Sequence, residues 1–342
     1  MATHLRDFRR QSASDLTNDR IELALAKLGE VETARTSVTD GQVRQFVAGL
    51  PRMVSDYITA ALADNTRQAY KGDLQDFVQY GGSVPCSPET LAAYIAARAA
   101  IHSPYTISRR VTGISRAHTS QGLPDPAKNE LVRVVLRGVR RTHCKPQRQA
   151  TPLLKADLLE ILPLMHGTKG VRDRALILLG FAAALRRSEL VALDYTDLQF
   201  VSDGLIVYLR RSKTDQSGEG RKIAVPNGRT TACAVKAVQL WLEHAEIGSG
   251  PIFRSVSKGG GVGDRLTAQS VSLILKSYAA IAGLKTETIS GHSLRSGLVT
   301  SAAQAGIPTH RIMAQTGHRS MEMVNKYIRD ASLFDNNAAG FL

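Results

Sequence analysis

Cysteine is scarce in this 342-residue chain. The three present, Cys86, Cys144 and Cys233, are scattered and odd in number, with no CxxC pair among them. That argues against a disulfide framework or a structural zinc site and predicts a reducing cytoplasm. Long apolar runs are missing too. The longest, Ala175 to Leu185, is too short to span a bilayer and ends in Arg186 and Arg187, so no membrane partner is expected. The opening MATHLRDFRRQSASD has no apolar core and predicts no secretory signal. There is no Walker A sequence, no HExxH and no carboxylate cluster at metal-ligand spacing, so neither a metal, ATP nor any other cofactor is expected. The glycine cluster from Lys258 to Gly263 lacks the strand-to-helix setting of a nucleotide loop and reads as a flexible loop.

What the chain does have is positive charge. The formal net charge is +14 and the isoelectric point is near 9.9, which suggests a polyanionic partner, most simply nucleic acid. With 43% hydrophobic and 22% charged residues there is material for real cores, and 342 residues favour two domains over one.

Residues 1–49 carry seven basic and seven acidic side chains and read as a partly disordered arm with one helix over 20–28. From 50 to 143 the pattern is helical throughout. Tyr70, Leu74, Phe77 and Val78 form one apolar stripe, ended by Gly81 and Gly82. Ser87 and Pro88 open a second helix as N-cap and first residue. A third puts Ile107, Val111, Ile114 and His118 on one face and leaves Arg109, Arg110 and Arg116 elsewhere. A last helix runs from Pro126 to Thr142. Between Lys128 and Arg148 lie seven basic residues and one acidic, Arg140 and Arg141 among them. A solvated helix face is the ordinary reading of such a run, but at a domain junction in a basic protein a phosphate-backbone contact is at least as good. Residues 50–143 thus read as a small all-helical domain that grips DNA through Arg109, Arg110, Arg116, Arg140 and Arg141.

Residues 144–342 form the second domain. A short helix over 155–162 and a long, buried one from Val171 to Leu193 lead to two strands, Gly204–Leu209 and Arg221–Pro226, joined by a polar turn. Helices then return over 231–245, 267–282, 294–305, 309–315 and 320–329.

The stretch from Ser290 to Arg329 draws the chemistry together. His292 and Arg295 stand one helical turn apart, His318 follows Gly317, and Tyr327 lies on a short helical run. A phenol among fixed cations and imidazoles is suited to attack a phosphodiester. Charge then builds on the non-bridging oxygens, where arginine forks are the best donors. Arg295 is one candidate. In AALRRSEL, Arg186 shares a face with Glu189, and Arg187 points away, so Arg186 is the second, with Glu189 orienting a nearby histidine or arginine. The leaving 5′ oxygen needs a proton, which Lys213, on the turn between the strands, can supply. His292 and His318 can each donate to a phosphoryl oxygen or relay the nucleophile's proton. Taken singly, each of these residues has an ordinary structural reading.

Jointly the residues resemble the tyrosine site-specific recombinases, the phage integrase family, with size and architecture similar to its Cre-type members. The resemblance covers roughly residues 50–342. It rests on Arg186 and Glu189 in L-R-x-x-E, Lys213 in the β-turn, His292 and Arg295 in H-x-x-R, His318 after Gly317, and Tyr327. His318 departs from Cre, which has tryptophan there. The resemblance implies a mainly α fold: an N-terminal all-helical core-binding (SAM-like) domain, then a C-terminal α+β catalytic domain of the DNA breaking-rejoining type with a small antiparallel sheet. It implies that Tyr327 forms a 3′-phosphotyrosine and that a homotetramer exchanges strands between two double-stranded DNA sites, each an inverted repeat, through a four-way junction. The tail, with Leu333, Phe334, Phe341 and Leu342, is expected to dock into a neighbouring protomer. The protein is expected at the nucleoid of a prokaryote or as the product of a phage or plasmid. A type IB topoisomerase and a catalytically silent DNA-binding regulator are the competing readings.

Overall fold

The computed structural model describes residues 63–143, 150–210 and 220–331. The N-terminal arm with its helix over 20–28, Cys144, Lys213 and the tail's Leu333, Phe334, Phe341 and Leu342 lie outside the described residues. The chain divides into two compact units, Met1–Pro146 and Gln147–Leu342.

The described residues of the first unit pack four α-helices: α1 (Asp64–Gln79), α2 (Pro88–Ala99), α3 (Pro104–Thr119) and α4 (Glu130–His143). Ser87 and Ser103 cap α2 and α3 by accepting the backbone N–H of Thr90 and Thr106, with proline as the first helical residue each time. Leu74, Phe77, Leu91, Ile95, Ile107, Val111 and Ile114 meet in one core, closed by Val132 and Val139 of α4. His118 is fully buried in the same unit. Its Nε2 accepts the Cys86 N–H at 3.0 Å and its Nδ1 lies 2.8 Å from the Ile114 carbonyl, so both ring nitrogens serve the fold.

Two of the arginines expected on DNA belong to an interior network instead. Arg110 has only 12% of its side chain exposed and bridges Asp73 and Asp76. Asp76 also accepts from Tyr94 Oη at 2.7 Å and Arg98 Nε at 2.9 Å. Arg109, half-exposed, donates to Asp73 at 2.7 Å. Burial raises the Asp73 carboxyl above its usual range while Arg109 and Arg110 oppose that rise. Arg110 thus serves to neutralise the buried Asp73 and the half-buried Asp76 from within the unit. Arg116 is half-buried. Arg140 and Arg141 are exposed on α4, and Arg140 reaches Ser108 Oγ at 3.2 Å.

In the second unit, α5 (Lys155–Ile161) precedes α6 (Gly167–Ala182), the central helix, which is buried along Ala175–Gly180. The expected single helix from Val171 to Leu193 is broken. Ala184 takes a left-handed conformation (φ 50°), and α7 (Arg187–Ala192) starts afresh after Arg186. A three-stranded antiparallel sheet follows, β1 (Leu198–Val201), β2 (Gly204–Leu209) and β3 (Arg221–Pro226), with Leu209 opposite Arg221. Strand β1 was not foreseen, because LQFV is too short to show an alternation. Helix α8 (Ala234–His244) packs on α6, and Trp241, fully buried, donates to the Ile252 carbonyl.

The glycine cluster, expected as a flexible loop, instead turns a hairpin between β4 (Arg254–Val256) and β5 (Val262–Arg265). Then come α9 (Ala268–Ile281), α10 (Ser293–Gln304), α11 (Thr309–Thr316) and α12 (Met321–Ala331). Helix α12 joins through a small separate cluster, Val299 of α10, Ile312 of α11 and Val324 of α12, with Tyr327 packed against it. The fold is mostly helical with small antiparallel sheets, as expected.

Two glycines give a stability test. A methyl on Gly297 in α10 meets the Leu153 carbonyl at 1.9 Å, whereas one on Gly72, exposed in α1, meets nothing within 4 Å. Gly297→Ala is expected to destabilise the protein by about 3 kcal/mol or more, since backbone must shift. Gly72→Ala is expected to stabilise it by about 1 kcal/mol through helix propensity. Denaturant unfolding of the two variants decides.

Candidate active site

The site assembles where several helices of the second unit begin and end. Helix α6 stops at Ala182, and the left-handed Ala184 lets the Leu185 N–H return to the Gly180 carbonyl at 3.1 Å and its own N–H to Phe181 at 3.0 Å. That turn leaves the Ala184 carbonyl pointing away from the helix. Arg295, on the first turn of α10, donates to it through Nη1 at 2.8 Å. Arg295 is 1% exposed, and its Nη2 is buried with no hydrogen-bond partner. Desolvation, then the neighbouring charge of Arg186, draws its pKa down to about 10.

Arg186 is not on a helix face with Glu189, as the spacing suggested. It is the N-cap residue of α7. Glu189, 6% exposed, accepts the Arg186 backbone N–H at 2.9 Å and its Nη1 at 2.6 Å. One carboxylate thus caps the helix and clamps the guanidinium in a fixed direction, so arginine, rather than a histidine, is what Glu189 orients. Arg187 is exposed, with its side chain across Gly291.

His292 is the N-cap residue of α10, one turn before Arg295. Its Nε2 lies 2.9 Å from Tyr327 Oη. Its outer edge is open to solvent, yet the protein behind it desolvates the ring, and Arg295 and Arg186 add repulsion, so its pKa is lowered from 6.5. Tyr327 is half-buried, and desolvation raises its phenol while Arg295 opposes that rise. A neutral imidazole therefore faces a neutral phenol, with the ring able to accept the phenol proton at Nε2.

His318 follows Gly317, the left-handed residue (φ 69°) that ends α11. Thr316 Oγ1 donates to the Ile312 carbonyl at 2.7 Å and lies 2.7 Å from His318 Nδ1. With its only proton so used, the hydroxyl accepts from Nδ1–H, which fixes the tautomer and turns Nε2 outward as a lone pair. Desolvation, then the charges of Arg295 and Arg186, lower the His318 pKa to about 4. The Tyr327 ring stands 6.4 Å, centroid to centroid, from both His318 and His292.

Six of the seven residues singled out on sequence thus come together: Arg186, Glu189, His292, Arg295, His318 and Tyr327. Lys213 falls outside the described residues. Four participants had no visible signal of their own. Ala184 acts through its backbone carbonyl, Thr316 through its hydroxyl and Gln315 through its side-chain amide and backbone carbonyl. Arg221 had only its place at the start of a strand. Among the described residues no group of His, Cys, Asp or Glu is placed to hold a metal ion, and no helix is long and apolar enough to cross a membrane.

Known proteins resemble this chain in sequence and in fold. The phage integrase family model matches residues 152–333. An integrase/recombinase xerD homolog of Selenomonas ruminantium is 43% identical over 288 residues, covering 81% of this chain and 84% of that protein. The recombinase cre of Escherichia phage P1 is 26% identical over 268 residues, covering 72% and 77%. Among solved structures, the XerH site-specific recombinase bound to a palindromic DNA substrate, in a post-cleavage complex, superposes with a TM-score of 0.61 at 17% identity, covering 93% and 92%. A lambda integrase tetramer bound to a Holliday junction gives 0.58 at 17%, covering 86% and 77%. At such identities the structural likeness concerns the fold alone. The family match over just over half the chain and the 43% identical relative go further: this chain belongs to the phage integrase family, the tyrosine recombinases.

Proposed function

We propose that this member of a family of DNA breaking-and-rejoining enzymes is a site-specific recombinase whose nucleophile is Tyr327. The observation that carries the reading is Arg295: a buried guanidinium with one nitrogen on the Ala184 carbonyl and another with no acceptor, ringed by Arg186, His292, His318 and a neutral Tyr327. A buried donor without a partner costs about 1–3 kcal/mol, more when charged, and a phosphodiester oxygen supplies the missing acceptor. Nη2 is closed to solvent, so the phosphate reaches it by turning aside the side chains above.

In the forward step Tyr327 Oη attacks phosphorus, the P–O5′ bond breaks, and the phenol proton passes to His292 Nε2. The 5′ oxygen takes a proton from Lys213. Arg186, oriented by Glu189, and Arg295 neutralise the charge that builds on the non-bridging oxygens, and His318, once protonated beside the phosphate, donates to the same group. The product is a 3′-phosphotyrosine and a free 5′ hydroxyl. The ester keeps the bond energy, so the reverse attack by a 5′ hydroxyl from another strand reseals DNA with no call on a nucleotide cofactor or metal. Two rounds of exchange between two inverted-repeat sites in a DNA-bound tetramer pass through a four-way junction, as the DNA-bound forms of the relatives support. The first unit grips DNA through its basic surface, with Arg140 and Arg141 on the exposed side of α4, and the tail beyond residue 331 joins neighbouring protomers.

Covalent capture tests the reading. Incubated with sheared genomic DNA of the source organism and denatured, the wild-type protein is expected to carry DNA that maps to one inverted-repeat sequence. Tyr327→Phe is expected to carry none while still binding. Adducts scattered over the genome overturn site specificity in favour of a relaxing topoisomerase.

On the captured site, Arg186→Ala and Arg295→Ala are each expected to slow cleavage by ~10²-fold or more, as loss of one charge-stabilising donor does. A change of only a few-fold removes that residue from the set.

The pH profile follows from the lowered pKa of His292. The neutral ring accepts the proton, so cleavage should hold a plateau at neutral pH and fall as pH drops through the depressed value, on the acid side of 6.5. His292→Ala should abolish that acid limb; a limb that persists unchanged assigns the base elsewhere.

A further inference from the structure

We propose that Arg221 is a positioning residue for DNA cleavage: by holding the last turn of α11 and the Gly317 bend from strand β3, it sets where His318 stands. This inference rests on the recombinase reading above.

Helix α11 ends among carbonyls that have no intrahelical donor. Arg221 Nη1 lies 3.2 Å from the Gln315 carbonyl and 3.5 Å from that of Ala314, so the guanidinium closes the helix end from outside. Among the described residues its hydrogen bonds go to these carbonyls, not to a carboxylate. A cation at a helix C-terminus also meets the negative end of the helix dipole. The contact with the next residue is closer still. A Cβ built on Gly317 falls 2.4 Å from Arg221 Nη1 and 2.8 Å from Cζ, so the guanidinium occupies the space where any other residue would carry its side chain. Gly317 is favoured for its left-handed φ, and a side chain there would displace the guanidinium that lies against it.

A second tie acts on the same turn. Gln315 Nε2 donates to Ala182 at the end of α6, at 2.8 Å, and to Ala224 of β3, at 3.2 Å. Strand β3 therefore holds the end of α11 through Arg221 and through Ala224. His318 comes one residue after Gly317, and its ring is locked to Thr316 in the same turn. Arg221 pairs through its backbone with Leu209, so its own position is set by the sheet. The path from sheet to imidazole is short and has no flexible link. Lysine cannot replace the planar fork, because a single ammonium on a longer stem does not lie flat on Gly317. The charge of Arg221 also bears on His318, after desolvation and the charges of Arg295 and Arg186, while the Tyr327 ring flanks it.

The test compares Arg221→Met and Arg221→Lys with wild type, using the DNA fragment most enriched by covalent capture and, separately, NMR titration of the His318 ring without DNA. Arg221→Met is expected to bind the fragment as wild type does and to form the Tyr327 adduct about tenfold more slowly or worse, the cost of a group misplaced from its working geometry. Combined with His318→Ala, it should add no more than about twofold, since both act through one imidazole. Arg221→Lys should recover only part of the rate. In the titration, Arg221→Met should move the His318 midpoint up from about 4, because a charge and a rigid contact are gone. A full tenfold loss that persists in the His318→Ala background overturns the proposal and makes Arg221 a direct phosphate ligand. If wild type forms no Tyr327 adduct, the recombinase reading falls. The titration still judges Arg221 in that case, and an unmoved midpoint overturns its positioning role.

Discussion

A guanidinium sealed in the protein interior without its counter-ion is the constraint around which the second unit is built. Arg295 sits at the start of α10, 1% exposed, with the Ala184 carbonyl as its acceptor and, among the described residues, one nitrogen unpaired. Folding ordinarily excludes such an arrangement, since the uncompensated donor opposes stability. Here the surroundings overdetermine it. Helix α6 must end in a left-handed residue to present that carbonyl, and α10 must lie close enough to reach it. That closeness depends on Gly180, where a methyl would strike Leu294 and Leu190, and on Gly297, where one would strike Leu153. Desolvation, and after it the Arg295 charge, lowers the pKa of both histidines, and the same charge opposes the rise that desolvation causes at Tyr327.

The other members come from element ends, and this has a physical basis. Arg186 is an N-cap residue, as is His292, and His318 follows the residue that terminates α11. Helix termini leave backbone groups unsatisfied, and each end has recruited a side chain or a carbonyl to answer them. Glu189 answers the start of α7 and fixes Arg186 in the same stroke; Arg221 answers the end of α11. Termini held this way are rigid points on a scaffold, better suited than mid-helix positions to aim short polar groups at one place. Tyr327 is carried differently. Its helix is attached through the small Val299, Ile312 and Val324 cluster, not through the main core. Tyr327 is thus packed less extensively than Arg295.

Much of this was legible in the chain. The stripe of Leu74 and Phe77, the serine-proline starts of α2 and α3, and the burial of Ile107, Val111, Ile114 and His118 follow from periodicity and capping, which are local rules. What misled were places where tertiary structure overrides a local signal. The apolar run from Val171 to Leu193 reads as one helix, because nothing in Ala183-Ala184-Leu185 marks a break; the left-handed Ala184 exists because Arg295 and the α7 cap engage the chain on either side of it. The glycines near residue 260 suggested a loop, yet pairing with β4 orders them as a hairpin. Arg110 looked like a surface cation because sequence does not show that a buried Asp73 and a half-buried Asp76 lie beside it.

The sequence by itself determined the family and singled out the candidate site residues, since H-x-x-R, L-R-x-x-E, the glycine-histidine pair and the tyrosine occur in order with residue types suited to the chemistry. It also determined most helices, because their signals lie within a few residues of one another. Only the tertiary structure decided which histidine meets the phenol, that Arg295 reaches the Ala184 carbonyl, and that Arg221 holds the turn before His318. Those outcomes depend on contacts between residues 35 to more than 100 positions apart, such as His292 with Tyr327 and Arg295 with Ala184. Distances of that kind are set by how helices pack, and no local pattern in the chain encodes them.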